Sequence, residues 1–191
     1  KIIIEKSTFE FNEVIPRSSS PSSSNLFGGS AIYMTVKNGN IVNCSFTKNK
    51  GKGGAVKIYN NFDDAGLKKL SDDKKSVSIS QCHFEIDSSS SSSSIYYVRG
   101  NKHAVSVDVK DCEFTGKLAN DSHYIDGNSF SSKKEETPKL RIKSCKFSSD
   151  NVINRKNLDS KSFILFDESN QKFNKERINV DLITDSQKES L

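Results

Sequence analysis

The stretch VSISQCHF at residues 77–84 returns as VDVKDCEF at residues 107–114 and as LRIKSCKF at residues 140–147. In each copy apolar and polar residues alternate, and a phenylalanine stands two positions after a cysteine. Alternation with a period of two indicates β-strands with one buried face. The alternation slips in the two residues before the cysteine, which predicts a corner between two short strands that both direct apolar side chains inward.

The same template extends outward in both directions along the chain. Ile41 to Phe46 fits it with Cys44, and Ile2 to Phe9 fits it with Ser7 in place of the cysteine. A sixth, weaker copy is predicted at Ile178 to Ile183, with Asp185 in the phenylalanine position. The expected inward ladder consists of Cys44, Cys82, Cys112 and Cys145 together with Phe9, Phe46, Phe84, Phe114 and Phe147.

A further apolar strand follows each of these copies. These strands are predicted at Ala31–Met34, Ala55–Ile58, Ile95–Val98, His123–Ile125 and Phe163–Phe166. Three strands per repeat predict an all-β fold, a right-handed parallel β-helix (solenoid) of about five to six coils, since parallel crossovers are strongly right-handed. Residues 1–191 are expected to form a single region of this fold, cut from a longer chain, with loop insertions at 18–24, 63–75 and 88–94.

Composition agrees with a solenoid and disfavours some partners. Apolar residues make up 33% of the chain and tryptophan is absent, which is little for a three-dimensional globular core but enough for the narrow inward stripe of a repeat. The net charge of +5 arises from 29 basic and 24 acidic residues interleaved along the chain, so no basic patch for nucleic acid is expected. No apolar run approaches the roughly 18 residues of a membrane helix, and no membrane insertion is expected within these residues.

Two pairs of short motifs carry a resemblance to a known family. Phe46-Thr47-Lys48-Asn49 is followed by Gly53-Gly54-Ala55-Val56, and a looser pair joins Phe9 to Asn12 and Gly28-Gly29 to Ala31. These residues resemble the FxxN and GGA(I/L/V) motifs of chlamydial polymorphic outer-membrane proteins and of similar surface proteins in protists. The resemblance implies an adhesin-like passenger region at the cell surface or in the extracellular space.

The chemistry of the same motif residues can be read without the family. Phenylalanine fills the interior, and asparagine bonds to backbone groups at a corner or to an asparagine in the next coil. The motif residues Asn12, Asn49, Gly28, Gly29, Gly53 and Gly54 are therefore expected in turns, where the glycines permit a tight bend.

The cysteines and histidines have plain interpretations. A buried free cysteine behaves as a small apolar residue, so packing is the expected role of the four thiols. A disulfide between Cys44 and Cys82 or between Cys112 and Cys145 remains an alternative, whereas a linear ladder cannot supply a tetrahedral zinc site. His83, His103 and His123 are expected to be solvated, and no cofactor or metal ion is expected.

Outward positions form rows in which carboxylates lie beside basic residues. One row is expected to hold Asn40, Ser78, Asp108 and Arg141, and another Ser45, His83, Glu113 and Lys146. These rows predict the ion pairs Asp108–Arg141 and Glu113–Lys146 and offer no pair of neighbouring carboxylates for acid and base catalysis. Asn120 and, less favourably, Asn43 lie in sequons for N-glycosylation.

These patterns favour a non-enzymatic structural or adhesive surface module that presents extended sheet faces to a partner. Expected partners are other proteins or glycans at a surface, and neighbouring coils of the same longer chain. Two alternatives stay open. The chain could belong to a carbohydrate-active β-helix protein whose catalytic coils lie outside this fragment, or to a filament or scaffold component that assembles end to end.

Overall fold

The computed structural model describes residues 1–14, 30–51, 53–60, 76–87, 93–99, 105–119, 122–129, 140–153, 164–166 and 169–173. Within these ranges the backbone forms strands, bridges and turns, and no helix. Side chains are described there except those of residues 60, 98–99, 127–129 and 164–166. Gly28, Gly29, Asn120, His103, the loops predicted at 18–24 and 63–75, and residues 178–185 lie outside the described residues.

Sixteen strands in the described part of the chain form three parallel sheets. The first sheet consists, in spatial order, of β1 (Ile2–Glu5), β4 (Gly39–Val42), β7 (Ser76–Ser80), β10 (Ser106–Lys110), β13 (Leu140–Lys143) and β15 (Ile164–Phe166). The second sheet consists of β2 (Thr8–Glu10), β5 (Ser45–Thr47), β8 (His83–Ile86), β11 (Glu113–Gly116), β14 (Lys146–Phe147) and β16 (Gln171–Lys172). The third sheet consists of β3 (Ile32–Met34), β6 (Val56–Asn60), β9 (Ile95–Arg99) and β12 (Ile125–Ser129).

The chain visits the three sheets in rotation, and we call one passage through them a circuit. Every described strand pair is parallel, and Phe9, Phe46, Phe84, Phe114 and Phe147 lie directly opposite one another in the second sheet. The prediction of an all-β fold with parallel strands in stacked sheets is confirmed. A constant register means that side chains from successive circuits lie in straight rows.

Period-two alternation produces the buried interior. In β10, Val107 and Val109 are buried while Ser106 and Asp108 are half-buried, and β7 repeats this pattern with Val77 and Ile79. The apolar residues that face inward from the three sheets form one core cluster. Burial of each such side chain contributes about 1.5–3 kcal/mol to folding, before the entropy of ordering the chain is subtracted.

A left-handed residue makes the corner between the first and second sheets. The residues just before the cysteine position all have φ between 50° and 54°, namely Lys6, Asn43, Gln81, Asp111 and Ser144. A single residue in this conformation reverses the side-chain alternation, so the following residue points inward again. This is the physical basis of the slip in the sequence pattern, and it costs about 1–2 kcal/mol at each residue that is not glycine.

The sixth circuit differs from its prediction. Ile164–Phe166 belongs to the first sheet, opposite Leu140–Ile142, and not to the third. Lys172, not Asp185, lies opposite Phe147 in the second sheet. In the fifth circuit, an isolated bridge between Ile153 and Ile125 occupies the third-sheet position. The assignment of the 163–166 strand to the third sheet was wrong, because the short Val152–Ile153 segment already occupies that position in the fifth circuit. The copy predicted at 178–185 lies outside the described residues.

The serine run predicted as a loop at 88–94 is partly wrong. Ser93 and Ser94 are buried, and their carbonyl groups accept hydrogen bonds from Ala55 and Val56 at 3.2 and 3.0 Å. They therefore extend the backbone pairing of the third sheet, while residues 88–92 lie outside the described part of the chain.

Candidate functional site

The four cysteines lie in one buried column at the corner between the first and second sheets. Each is between 0% and 3% exposed and free of disulfide bonds. The pairs Val42–Ser80 and Ser45–His83 flank the first two cysteines in register, which places Cys44 opposite Cys82. The column continues in the same way through Cys112 and Cys145.

A local hydrogen bond to the backbone explains why the cysteine position of the repeat accepts either cysteine or serine. Each thiol donates to the carbonyl group two residues earlier, at 3.2 Å in Cys82 and 3.3 Å in the other three. The Ser7 hydroxyl makes the same bond to Glu5 at 2.9 Å. The position therefore selects a short side chain with one donor, which satisfies a corner carbonyl.

Burial and neighbouring thiols raise the pKa of Cys44, Cys82 and Cys112. A side-chain hydrogen bond with Cys112, followed by desolvation, raises the pKa of Cys82. Hydrogen bonding with Cys145 raises the pKa of Cys112, and burial raises the pKa of Cys44. Such thiols are poor nucleophiles, because the thiolate is the reactive form.

The phenylalanines of the second sheet stack along the same axis. Successive rings from Phe9 to Phe147 have centroids 4.7–5.1 Å apart and planes within 8° of parallel. Each stacked pair contributes about 0.5–1.5 kcal/mol beyond the burial of its area. This stack and the cysteine column are structural cores.

The turn motif residues that are described form a short polar ladder. The Asn12 side chain donates to Oδ1 of Asn49 at 2.8 Å, and the buried Asn49 donates to the Phe9 carbonyl at 2.8 Å. Asn49 thus makes both bonds expected of this position. Gly54 has φ of 70°, and a Cβ there would lie 3.0 Å from the Ser93 carbonyl oxygen, while Gly53 is buried beside it.

Both predicted ion pairs are present on the outward rows. Arg141 makes a two-pronged contact with Asp108, and its second nitrogen lies 2.7 Å from Oδ2. Lys146 lies 3.4 Å from Glu113, and His83 Nδ1 lies 3.8 Å from the same carboxylate. His83 and His123 are both half-buried. The outward surfaces of the first and second sheets carry small polar residues and opposite charges.

The third sheet carries a different outward surface, which sequence reasoning missed. Tyr33, Lys57, Tyr96 and Asp126 lie opposite one another on successive strands, and Tyr59 lies two positions after Lys57. We call these five residues the tyrosine face. Alternation along these strands places the five side chains on one side of the sheet, but their shared row depends on the register between circuits.

A lysine is held between two aromatic rings of the tyrosine face. The Lys57 ammonium lies 5.8 Å from the Tyr33 ring centre and 5.6 Å from that of Tyr96, and Lys57 is only 1% exposed. Burial lowers the pKa of Lys57, whereas burial and then the Asp126 charge raise the pKa of Tyr96. Tyr33 is 51% exposed and stacks on Tyr59 at 6.4 Å.

Two shallow grooves accompany these faces. The corner groove borders Cys44 and Cys82 and is lined by Lys6, Asn43 and Gln81 among others. A second groove lies between residues 116–119 and 148–151, where the Tyr124 hydroxyl is 2.5 Å from Ser148 Oγ. Across the described residues, no group of three or more His, Cys, Asp or Glu side chains has the arrangement of a metal site.

Asn43 is exposed, with its backbone in the left-handed corner conformation. No helix in the described ranges has the length and apolarity to cross a membrane.

The last circuit contains a buried asparagine and a half-buried lysine that the repeat pattern did not predict. Asn170 occupies the cysteine position, accepts a hydrogen bond from the Cys145 amide at 2.9 Å and donates to the Ile142 carbonyl at 2.7 Å. Lys172 occupies the phenylalanine position, and its ammonium lies 2.8 Å from Asp150. Only the absence of the cysteine and phenylalanine hinted at this change.

Comparison of the chain with protein-family models, with curated proteins and with solved structures gave no significant match.

Proposed function

We propose that this chain is a non-enzymatic surface module, a right-handed parallel β-helix that binds a protein or glycan through its tyrosine face. Its place of action is the cell surface or the extracellular space. The resemblance of the Phe46–Asn49 and Gly53–Val56 motifs to adhesin-like surface proteins supports this location. The right hand follows from the general preference of parallel crossovers, and the rotation of the chain through three sheets supports a closed solenoid.

The observation that carries the binding proposal is the contrast between outward surfaces. Protein interfaces are enriched in tyrosine and depleted in lysine, glutamate, aspartate and serine. The outward rows of the first two sheets contain mainly residues of the depleted kinds. The tyrosine face places Tyr33, Tyr59 and Tyr96 on neighbouring strands, with one large exposed ring.

The fixed lysine strengthens this assignment. Since the buried Lys57 already lies between the Tyr33 and Tyr96 rings, the two rings lose little conformational entropy when a partner binds. Aromatic side chains with a polar end also bind by stacking and hydrogen bonding together. Both properties suit a protein surface or the apolar face of a sugar ring.

The test is a binding measurement on immobilised chain with a panel of extracellular-matrix proteins and polysaccharides. We expect saturable binding to at least one panel member, weakened about tenfold or more by Tyr33→Ser, as at an interface hot spot. Phe11→Ser is the matched control, because Phe11 is an exposed aromatic residue, 68% exposed, at the edge of the second sheet.

Three results would overturn the proposal. Binding to no member of the panel contradicts the adhesive role, and equal losses in the two variants contradict the tyrosine face. Release of reducing ends from any polysaccharide incubated with the purified chain contradicts the non-enzymatic assignment and favours the carbohydrate-active alternative.

A further inference from the structure

We propose that neighbouring cysteines of the buried column bind soft d¹⁰ metal ions of the Cu(I) and Ag(I) class, each ion bridging two thiolates in a linear arrangement. Two ions fit, one between Cys44 and Cys82 and one between Cys112 and Cys145. This inference is independent of the proposed binding role of the tyrosine face.

The spacing of the column carries the proposal. In-register parallel strands are about 4.8 Å apart, and the cysteines repeat at one strand spacing because residues on both sides of them pair in register. A metal–thiolate bond is about 2.3 Å long in zinc sites, so two such bonds in line span nearly one strand spacing. An ion midway between two sulfur atoms requires little movement of the backbone.

The thiols also have the same orientation in every circuit. Each Sγ lies near two carbonyl oxygens in equivalent positions, for Cys82 those of Ser80 at 3.2 Å and Ile41 at 3.7 Å. The corresponding distances are 3.3 and 3.6 Å for Cys112 and 3.3 and 3.6 Å for Cys145. Equivalent contacts mean equivalent rotamers, so the sulfur atoms follow one line parallel to the stacking axis.

Other uses of the same thiols fit this spacing less well. A disulfide needs sulfur atoms about 2.05 Å apart, which requires neighbouring sulfurs to approach by more than half of the strand spacing. Zinc needs four ligands that converge on one point, and a straight column offers two per gap. Thiolate ligands favour soft ions such as Cu(I), and two-coordinate linear geometry is common for d¹⁰ ions.

The binding step balances without any oxidant or reductant. Two thiols lose their protons to solvent, two sulfur–metal bonds form, and the oxidation state of the metal stays at +1. The product carries one net negative charge on the pair. The corner groove reaches Cys44 and Cys82, whereas Cys112 and Cys145 do not line it, so the first ion should enter at the Cys44–Cys82 pair.

Serine variants make a precise test possible. Ser7 already occupies the cysteine position of the first circuit with the same corner hydrogen bond, so Cys→Ser keeps the local structure. The double variant Cys44→Ser/Cys82→Ser retains the neighbours Cys112 and Cys145. The double variant Cys82→Ser/Cys145→Ser retains two thiols separated by two strand spacings, Cys44 and Cys112.

The experiment measures Ag(I) stoichiometry by native mass spectrometry on reduced, metal-free chain, with circular dichroism as a check of folding. We expect two ions on the natural chain, one on Cys44→Ser/Cys82→Ser and none on Cys82→Ser/Cys145→Ser. The two double variants contain the same number of thiols, so adjacency alone separates them.

A second measurement distinguishes the folded column from flexible thiols. In a denaturant both double variants should bind Ag(I) equally, because an unfolded chain can bring any two thiols together. Equal loading of the folded double variants, or no Ag(I) on the natural chain, overturns the proposal. If a double variant fails to fold, Cys82→Ser alone serves, with an expected decrease from two ions to one.

Discussion

Two regions of the molecule follow different sequence rules. One is the corner between the first and second sheets, and the other is the third sheet. At the corner each of the first five circuits repeats one left-handed residue, one short donor side chain and one stacked phenylalanine. The third sheet has no such fixed sequence, and its outward row changes from Tyr33 to Lys57, Tyr96 and Asp126. The difference indicates that the corner maintains the fold, while the outward positions of the third sheet tolerate different residues, which is the basis of the binding role that we propose for the tyrosine face.

The largest change in stability is expected when a ring is removed from the middle of the phenylalanine stack. Phe114→Ala should destabilise the fold by about 3–5 kcal/mol, because the ring is fully buried and stacked on both sides. Urea denaturation followed by circular dichroism gives the change. Tyr33→Ala on the tyrosine face should stay within about 0.5 kcal/mol. Equal effects of the two substitutions would remove the distinction between the two regions.

A smaller change in stability is expected from the ionisation of the thiols at high pH. Because the pKa of Cys44, Cys82 and Cys112 is raised in the folded chain, the unfolded chain loses these protons first as pH rises. Stability should be complete below pH of about 9 and fall above it, by up to about 1.4 kcal/mol per pH unit for each of these three thiols.

Denaturation midpoints at pH 8, 9 and 10 measure this slope. Cys82→Ser should make it shallower, since one thiol no longer titrates in the unfolded chain. A slope that is the same in both proteins, or stability that rises with pH in this window, would contradict the role of the column.

The smallest effect is expected on the outward rows of the first two sheets. Arg141→Ala removes the exposed contact with Asp108 and should cost less than about 1 kcal/mol. The loss should diminish further in 1 M salt, where the screening length is about 3 Å. A loss above 2 kcal/mol that persists in salt would mean that these rows contribute to the core structure.

Much of the fold could be predicted from the sequence. The strands of the first two sheets in the first five circuits, the cysteine and phenylalanine columns and the pairs Asp108–Arg141 and Glu113–Lys146 all follow from alternation and repeat spacing. Local rules suffice there, because side-chain direction in a strand depends only on position, and a repeat carries that direction into the next circuit.

The errors lie where the repeat changes its residues. Asn170 and Lys172 replace cysteine and phenylalanine, and their suitability depends on backbone groups of Ile142 and Cys145 and on the Asp150 carboxylate. Ser93 was assigned to a polar loop, yet its backbone pairs with Ala55. In both cases the partner belongs to another circuit, so composition within the segment gives no signal.

The sequence by itself determined the repeated strand pair, the inward columns and the charge-paired rows, since these depend on a period of two and a corner that recurs. Only the tertiary structure decided that Tyr33, Lys57 and Tyr96 form one row, that Lys57 is buried between the two rings, and where the sixth circuit lies. The physical reason is that burial and ring contacts depend on the register between circuits, and segments of variable length separate those circuits in the chain.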